Sequence, residues 1–293
     1  MEWPATAPEP TLRLRPQATI TDYPERLVLD TLHTVQLCHP GYPDMPHRLH
    51  VMLELPAYDC DDAGAGIHRD TAIDACRIVT GNRPGVLLPT LLSPSQFQQR
   101  AKDASLLILT GPRYYFYPID WSDANLQYPV CPSFSRWEFD HDAFDPASPR
   151  AIHHWISSHP QPKRTGDAAC RLSGFRDACE SAHIIPCEQN DWFVRNGMGL
   201  YSQTLQGSAT NPTADVRNVV SMRRDLRKSF DDCEFVFLPK GLDFYVHFLS
   251  PTLDFGPLFH NRAVSALAED VAPAFLYARF AWALFGRFWR FVS

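Results

Sequence analysis

The sequence contains little glycine, has fewer basic than acidic residues, and lacks the pattern typical of a signal peptide. Glycine occurs 14 times in 293 residues, against 26 prolines, which predicts many short elements joined by rigid turns. The formal net charge is −6, so any contact with nucleic acid requires a local basic patch. The N-terminus has no basic segment followed by an apolar run. We therefore predict no signal peptide and expect an intracellular protein of the nucleus or cytoplasm.

The eight cysteines also lack a repeated spacing. Cys170 and Cys179 do not have the C-x-x-C spacing of a zinc knuckle, so we predict buried free thiols rather than a structural zinc site. The apolar stretch 273–291 contains three arginines, including Arg279, which argues against a transmembrane segment. It predicts a packed aromatic helix whose arginines form a basic edge that reaches solvent, in preference to a membrane-surface helix.

The order of apolar runs and turn residues predicts an α+β chain with two domains. Residues 1–18 are rich in proline and polar side chains and are predicted to form a loose tail. Residues 19–160 contain short alternating apolar runs, which predict an antiparallel, β-rich domain of unknown role. Residues 161–293 form the second predicted domain, with the aromatic helix at its end. The boundary is placed in the polar linker 160–166.

Three local predictions lie within this frame. The apolar runs 106–109 and 114–117, joined by T-G-P-R, are predicted to form a hairpin. Residues 60–66 are predicted to form a loop. The runs 234–238 and 244–249, separated by P-K-G, are predicted to form a second hairpin.

The stretch 170–240 holds the candidate chemistry. A short apolar strand over 182–185 contains His183 and is closed by a proline. A second strand opens at Asn218 and turns into a helix over about 224–230, with two apolar side chains one turn apart. A strand with a histidine, a strand opened by an asparagine and a helix with basic residues predict one compact site.

The basic residues of this helix are concentrated on one side. Arg224, Arg227 and Lys228 share a helix face, and the segment 217–228 contains five basic residues and one acid. Such a face is most simply a solvated surface, because helices often segregate charge. In a protein that binds nucleic acid it would be a phosphate-binding surface.

Three blocks of this stretch resemble the HNH endonuclease family. They are C-R-L-S-G at 170–174, E-S-A-H-I-I-P at 180–186 and D-V-R-N-V-V-S-M-R-R-D-L-R-K-S-F-D at 215–231. Further blocks resemble parts of fungal proteins that carry this domain; they lie at 66–83, 192–201 and 275–282. The resemblance covers about a quarter of the chain at the motif itself.

The resemblance implies two antiparallel strands followed by a helix around a divalent metal, Mg²⁺ or Mn²⁺. It implies hydrolysis of phosphodiester bonds in DNA or RNA. His183 would be the base that takes a proton from water, and Asn218 would fix the histidine loop. Arg224, Arg227 and Lys228 would contact phosphate oxygens through charged donors.

Two positions depart from the family at the metal. Arg227 stands where the family has its last histidine, which is a metal ligand in well-known members. Ala182 precedes His183 at a position that is often a ligand too. Since Mg²⁺ needs only one or two carboxylates plus water and phosphate, nearby acids are candidate replacements. These candidates are Asp177, Glu180 and Asp231.

Functions of different class therefore remain open. The first is a metal-assisted HNH nuclease with His183 as base. The second is a catalytically inactive HNH-fold module that binds nucleic acid or another partner, in which Arg227 marks the loss of the metal. A third places the function in the N-terminal half, through His68 or the region 151–154. Taken alone, a histidine between Ala and Ile-Ile is more often a satisfied core residue.

Overall fold

The computed structural model describes nine segments: 12–17, 33–42, 50–61, 64–99, 106–156, 169–203, 211–241, 243–264 and 267–292, without the side chains at 269 and 288–292. The strands are β1 (Thr34–Cys38), β2 (Val51–Pro56), β3 (Asp59–Asp61), β4 (Gly64–His68), β5 (Gly85–Leu88), β6 (Ile108–Leu109), β7 (Arg113–Pro118), β8 (Cys179–His183), β9 (Val219–Arg223), β10 (Phe235–Lys240) and β11 (Asp243–Phe248). The α-helices are α1 (Arg69–Val79), α2 (Pro94–Gln99), α3 (Asn190–Arg195), α4 (Arg224–Asp231), α5 (Phe255–Phe259), α6 (Leu267–Asp270) and α7 (Pro273–Val292).

The N-terminal half contains two small sheets. One has the order β2-β1-β7-β5, in which β1 and β7 are parallel and the other pairs are antiparallel. The other has the order β3-β4-β6 and is antiparallel. The predicted hairpin of 106–109 with 114–117 is therefore wrong, because β6 pairs with β4 and β7 lies between β1 and β5. Of the predicted loop at 60–66, residues 60 and 61 instead belong to β3 and residues 64–66 to β4, which pair with each other.

The described part of the C-terminal half contains two antiparallel strand pairs and the long helix. β8 pairs with β9, and β10 pairs with β11, both antiparallel. The second pairing confirms the predicted hairpin of 234–238 with 244–249. The aromatic helix α7 is also present, over 20 residues. Among the described helices, none combines the length and the apolar composition that crossing a bilayer requires.

The apolar core contains side chains from both halves of the sequence. Helix α7 packs against β2 and α1, which precede it by about two hundred residues. Trp137 and Trp192 stack with ring centroids 5.6 Å apart and planes 3° apart. The mixture of helices with mainly antiparallel sheets confirms the α+β class. The linker 160–166 lies outside the described residues, and the division into two domains stays a prediction.

The N-terminal segment 12–17 is attached to this body. The backbone N–H of Arg15 donates to the carbonyl of Asn261 at 2.8 Å, and the N–H of Ala263 donates to the carbonyl of Arg15 at 2.9 Å. The Arg15 guanidinium donates to the carbonyls of Pro257 and His260. This part of the predicted tail is therefore not loose, whereas 1–11 and residue 18 lie outside the described residues.

Candidate functional site

The candidate site is built on the antiparallel pair of β8 and β9 and on helix α4. Ala182 lies opposite Val220, and His183 lies opposite Val219. Because side chains alternate along a strand, Ala182 and Val220 face the core, where both are buried. Helix α4 follows β9 directly and buries Leu226 completely. The predicted order of histidine strand, asparagine, antiparallel strand and helix is confirmed.

Asn218 fixes the backbone that follows His183. Its side chain is fully buried. Its Oδ1 accepts from the N–H of Ile185 at 2.8 Å, and its Nδ2 donates to the carbonyls of Ile185 at 2.9 Å and Thr213 at 2.8 Å. The carbonyl of Asn218 also accepts from the N–H of Ile184 at 2.8 Å. This geometry suits a residue that orients the histidine loop.

His183 lies at the end of β8 and is half-buried. It shares a strand face with Ser181, which is exposed, so its ring lies on the face away from the core. Its Nε2 is 3.9 Å from the Sγ of Cys187. The imidazole is therefore accessible from solvent and lies beside the thiol of Cys187.

The arginines of α4 are paired with Glu180. The Nη1 of Arg227 lies 2.8 Å from the Oε2 of Glu180, and the Nε of Arg224 donates to Oε1 of the same carboxylate. Arg227 also approaches Asp231, with Nε and Oδ2 3.4 Å apart. The hydrogen bond from Arg224 is the main cause that lowers the pKa of Glu180, and Arg227 adds to it. The surface where α4 meets β8 therefore contains a carboxylate between two guanidinium groups.

Two further basic residues of the segment are paired as well. Lys228 forms an i,i+4 ion pair with Asp232, and Arg223 bonds Asp225 through Nε at 2.7 Å. The local excess of positive charge that the sequence shows is thus offset by neighbouring acids. Arg224 and Lys228 nonetheless remain largely exposed, with 74% and 72% of their side chains accessible.

The side chains between β8 and α4 do not fit a divalent ion. The Ala182 position offers a methyl group, and the Arg227 position offers a guanidinium, which has no available lone pair. Both carboxylate oxygens of Glu180 accept from arginine. Asp177 is exposed in a turn, and Asp231 faces Arg227. Within the described segments these candidate ligands belong to no group of three potential metal-binding side chains.

A long-range contact from α7 supports this unit. Arg279 is 1% exposed and donates to the carbonyls of Ile184 and Phe230, which follow His183 and lie in α4 respectively. Its guanidinium lies 3.8 Å from the ring centroid of Phe230. Burial lowers its pKa to about 10. The prediction that this arginine reaches solvent is wrong, because backbone carbonyls and aromatic rings replace its hydration.

A second polar cluster, which the sequence does not predict, is buried in the fold. Asp59, His247 and His260 place potential ligand atoms within 4.8 Å of one another, so together they could hold a metal ion. Burial raises the pKa of Asp59, but the charge of Lys240 and the bond from His260 outweigh it and hold the pKa well below its usual value. Burial lowers the pKa of His260 to about 4. A histidine and a lysine inside apolar strands were the available signals.

The N-terminal alternative rests on histidines that are structurally engaged. His68 is buried, and its backbone N–H donates to Asp59 at 2.7 Å. In the region 151–154, His154 bonds Asp74 with Nε2 and Oδ2 2.7 Å apart. The indole Nε1–H of Trp155 donates to the same oxygen at 2.7 Å. These contacts hold α1 to the segment that precedes the linker.

The comparisons with known proteins agree with the motif. Residues 170–238 match the family model described as HNH endonuclease. This match begins before β8 and ends within β10, and it contains His183, Asn218 and Arg227. Neither the curated proteins nor the solved structures that were compared include a match to the chain.

Proposed function

We propose that residues 170–238 are an HNH endonuclease domain and that the chain interacts with nucleic acid. In this proposal, arginines hold the phosphate in place of a metal. The observation that carries the proposal is the ion pair of Arg227 in α4 with Glu180 in β8. An HNH metal is expected between the first strand and the helix, and that is where this pair lies. The proposal therefore favours the metal-free descendant over the metal-assisted enzyme.

Electrostatics supports the exclusion of a divalent cation from this position. Two unit charges 4 Å apart interact by about 4 kcal/mol at an effective dielectric of 20, and a divalent ion doubles that repulsion. Arg227 would oppose Mg²⁺ by about 8 kcal/mol at that distance. The same guanidinium attracts a phosphate, whose oxygens match its planar donors.

The existing ion pairs do not prevent phosphate from binding. Exposed pairs contribute only about 0–1 kcal/mol each, because solvent screens them and the side chains lose freedom. Arg224 and Lys228 are exposed, so a phosphate can exchange with Glu180 or Asp232 at little cost. The basic face of α4 is therefore a surface on which a phosphate can replace a carboxylate as the partner of a basic side chain.

Removing the competing carboxylate tests this surface directly. We expect Glu180→Gln to bind a labelled oligonucleotide about threefold more tightly at low salt, from the loss of about 0.7 kcal/mol of repulsion at roughly 6 Å in water. Fluorescence anisotropy measures the effect. Asp142→Asn is the matched control, because Asp142 is an exposed acid that also pairs with an arginine, Arg150. Both residues lie outside the segment 170–238. Weaker binding by Glu180→Gln would contradict the proposal and favour a role for Glu180 as a metal ligand.

A substitution at Arg227 tests whether its ion pair with Glu180 takes the place of a metal. We expect Arg227→His to gain Mn²⁺ binding over the wild-type protein, because it supplies an imidazole ligand and releases one arginine from Glu180. Calorimetric titration measures it. Arg224→His is the matched control, since Arg224 bonds the same carboxylate from the more exposed position. Equal, tight Mn²⁺ binding by wild type and Arg227→His would show that the ion pair does not replace the metal.

A second candidate function, phosphodiester hydrolysis, is favoured by one observation. Asn218 binds the backbone of Ile185 with both ends of its amide, so the histidine loop keeps a fixed geometry beside an accessible His183. A neutral imidazole there can take a proton from water. Plasmid nicking that falls about 10²–10⁴-fold in His183→Ala would support the nuclease and set the metal-free binding proposal aside.

A further inference from the structure

A buried cage surrounds the ammonium group of Lys240. The cage is formed by Asp59 of β3, His247 of β11, and His260 and Asn261, which follow α5. All five side chains belong to residues that are at most 1% exposed. The cage therefore joins the β3–β4 hairpin of the N-terminal half to the β10–β11 hairpin of the C-terminal half.

Every proton of the ammonium has an acceptor. The Nζ of Lys240 lies 2.6 Å from the Oδ1 of Asp59, 2.6 Å from the Oδ1 of Asn261 and 3.0 Å from the Nδ1 of His247. An ammonium has three donors and no acceptor, so these contacts satisfy it completely. A buried charge requires this kind of pairing, because its desolvation is costly.

The rest of the network fixes the histidine tautomers. The Nδ1 of His260 accepts from the N–H of Phe248 at 3.1 Å, so its Nε2 carries the proton and donates to Asp59 at 2.9 Å. The Nδ1 of His247 accepts from Lys240, so its Nε2 carries the proton. Among the described residues, that Nε2 has no hydrogen-bond partner. Two neutral imidazoles and a carboxylate thus surround one cation.

The same atoms are a ligand set for a borderline transition metal. One carboxylate and two imidazoles are typical ligands of Zn²⁺, whereas Mg²⁺ prefers oxygen ligands alone. The amide oxygen of Asn261 also points to Nζ. The ammonium lies among these atoms, so a divalent metal bound by them would meet a positive charge at close range.

We propose that this cage is a cation site occupied by the ammonium of Lys240, and that it accepts a Zn²⁺-class ion only when that ammonium is removed. The native protein then uses an amino group to hold its two halves together where other proteins use a metal. This inference does not depend on the proposed function, because it concerns residues outside the β8–β9–α4 site.

Cobalt titration tests the proposal, because Co²⁺ substitutes for Zn²⁺ and absorbs visible light when bound by such ligands. We expect no absorption band from the wild-type protein, one equivalent of bound Co²⁺ in Lys240→Ala, and loss of the band in Lys240→Ala/His247→Ala. The melting temperature of Lys240→Ala should also rise with added Zn²⁺. A Co²⁺ band in the wild type that His247→Ala removes would overturn the proposal, as would a folded Lys240→Ala that binds no Co²⁺.

Chemical labelling of the wild-type protein keeps the proposal testable if Lys240→Ala does not fold. Lys228 is 72% exposed and serves as the internal control. We expect an acylating reagent, followed by peptide mass analysis, to modify Lys228 in the native protein and Lys240 only after denaturation. Modification of Lys240 at the rate of Lys228 in the folded protein would show that the ammonium is not held in the cage.

Discussion

Asn218→Ala should lower the free energy of unfolding by about 4 kcal/mol. The substitution leaves the N–H and carbonyl of Ile185 and the carbonyl of Thr213 without their amide partner. All three groups lie in a site that excludes water, since Asn218 is fully buried. A buried polar group left unsatisfied costs about 1–3 kcal/mol, so three of them give a loss of this size.

Chemical denaturation followed by tryptophan fluorescence measures this loss. Ser181→Ala is the matched control, because Ser181 is exposed on the neighbouring strand and its replacement should change stability by less than about 0.5 kcal/mol. A loss below about 1 kcal/mol in Asn218→Ala would mean that the loop after His183 is held by other contacts. In that case Asn218 would not be the residue that orients the histidine.

The local order of the site could be predicted because the apolar runs follow one another in the order of a known motif. His183 ends one strand, Asn218 opens its partner, and α4 follows within a few residues. Apolar alternation and the motif together define this order. The pairing of Glu180 with two arginines was harder to predict, because the charges are visible in the sequence but the helix face that meets the strand is not.

Strand pairing in the N-terminal half could not be predicted from local runs. A turn sequence between two apolar runs indicates a reversal of the chain, but it does not say which strands pair. β7 pairs in parallel with β1, which lies nearly eighty residues earlier in the chain. Such pairs depend on the closure of the whole core, which no local pattern contains.

The Lys240 cage could not be predicted for the same reason. Asp59 and Lys240 are separated by 181 positions, and each looks ordinary in its own segment. A lysine at the end of the apolar run F-V-F-L-P-K reads as the first exposed residue after a strand. Its burial depends on an acid, an amide and two imidazoles from distant parts of the chain, which only the folded structure brings together.

Arg279→Met should lower the free energy of unfolding by about 3 kcal/mol. Methionine keeps the apolar volume of the side chain but cannot donate to the carbonyls of Ile184 and Phe230. Hydrogen bonds from charged groups contribute about 1.5–3 kcal/mol each, and the relief of desolvating the guanidinium offsets part of the loss. The stacking of the guanidinium on Phe230 and Trp282 is lost as well.

The control for this measurement is Arg136→Met, because Arg136 is exposed and its replacement should change stability by less than about 0.5 kcal/mol. The expected loss in Arg279→Met would show that α7, which lies outside residues 170–238, stabilises the loop after His183 and helix α4. Unchanged or increased stability would mean that burying the guanidinium costs as much as its bonds contribute, as occurs when some buried ion pairs are replaced by apolar side chains. The loop after His183 would then depend on Asn218 alone for its position.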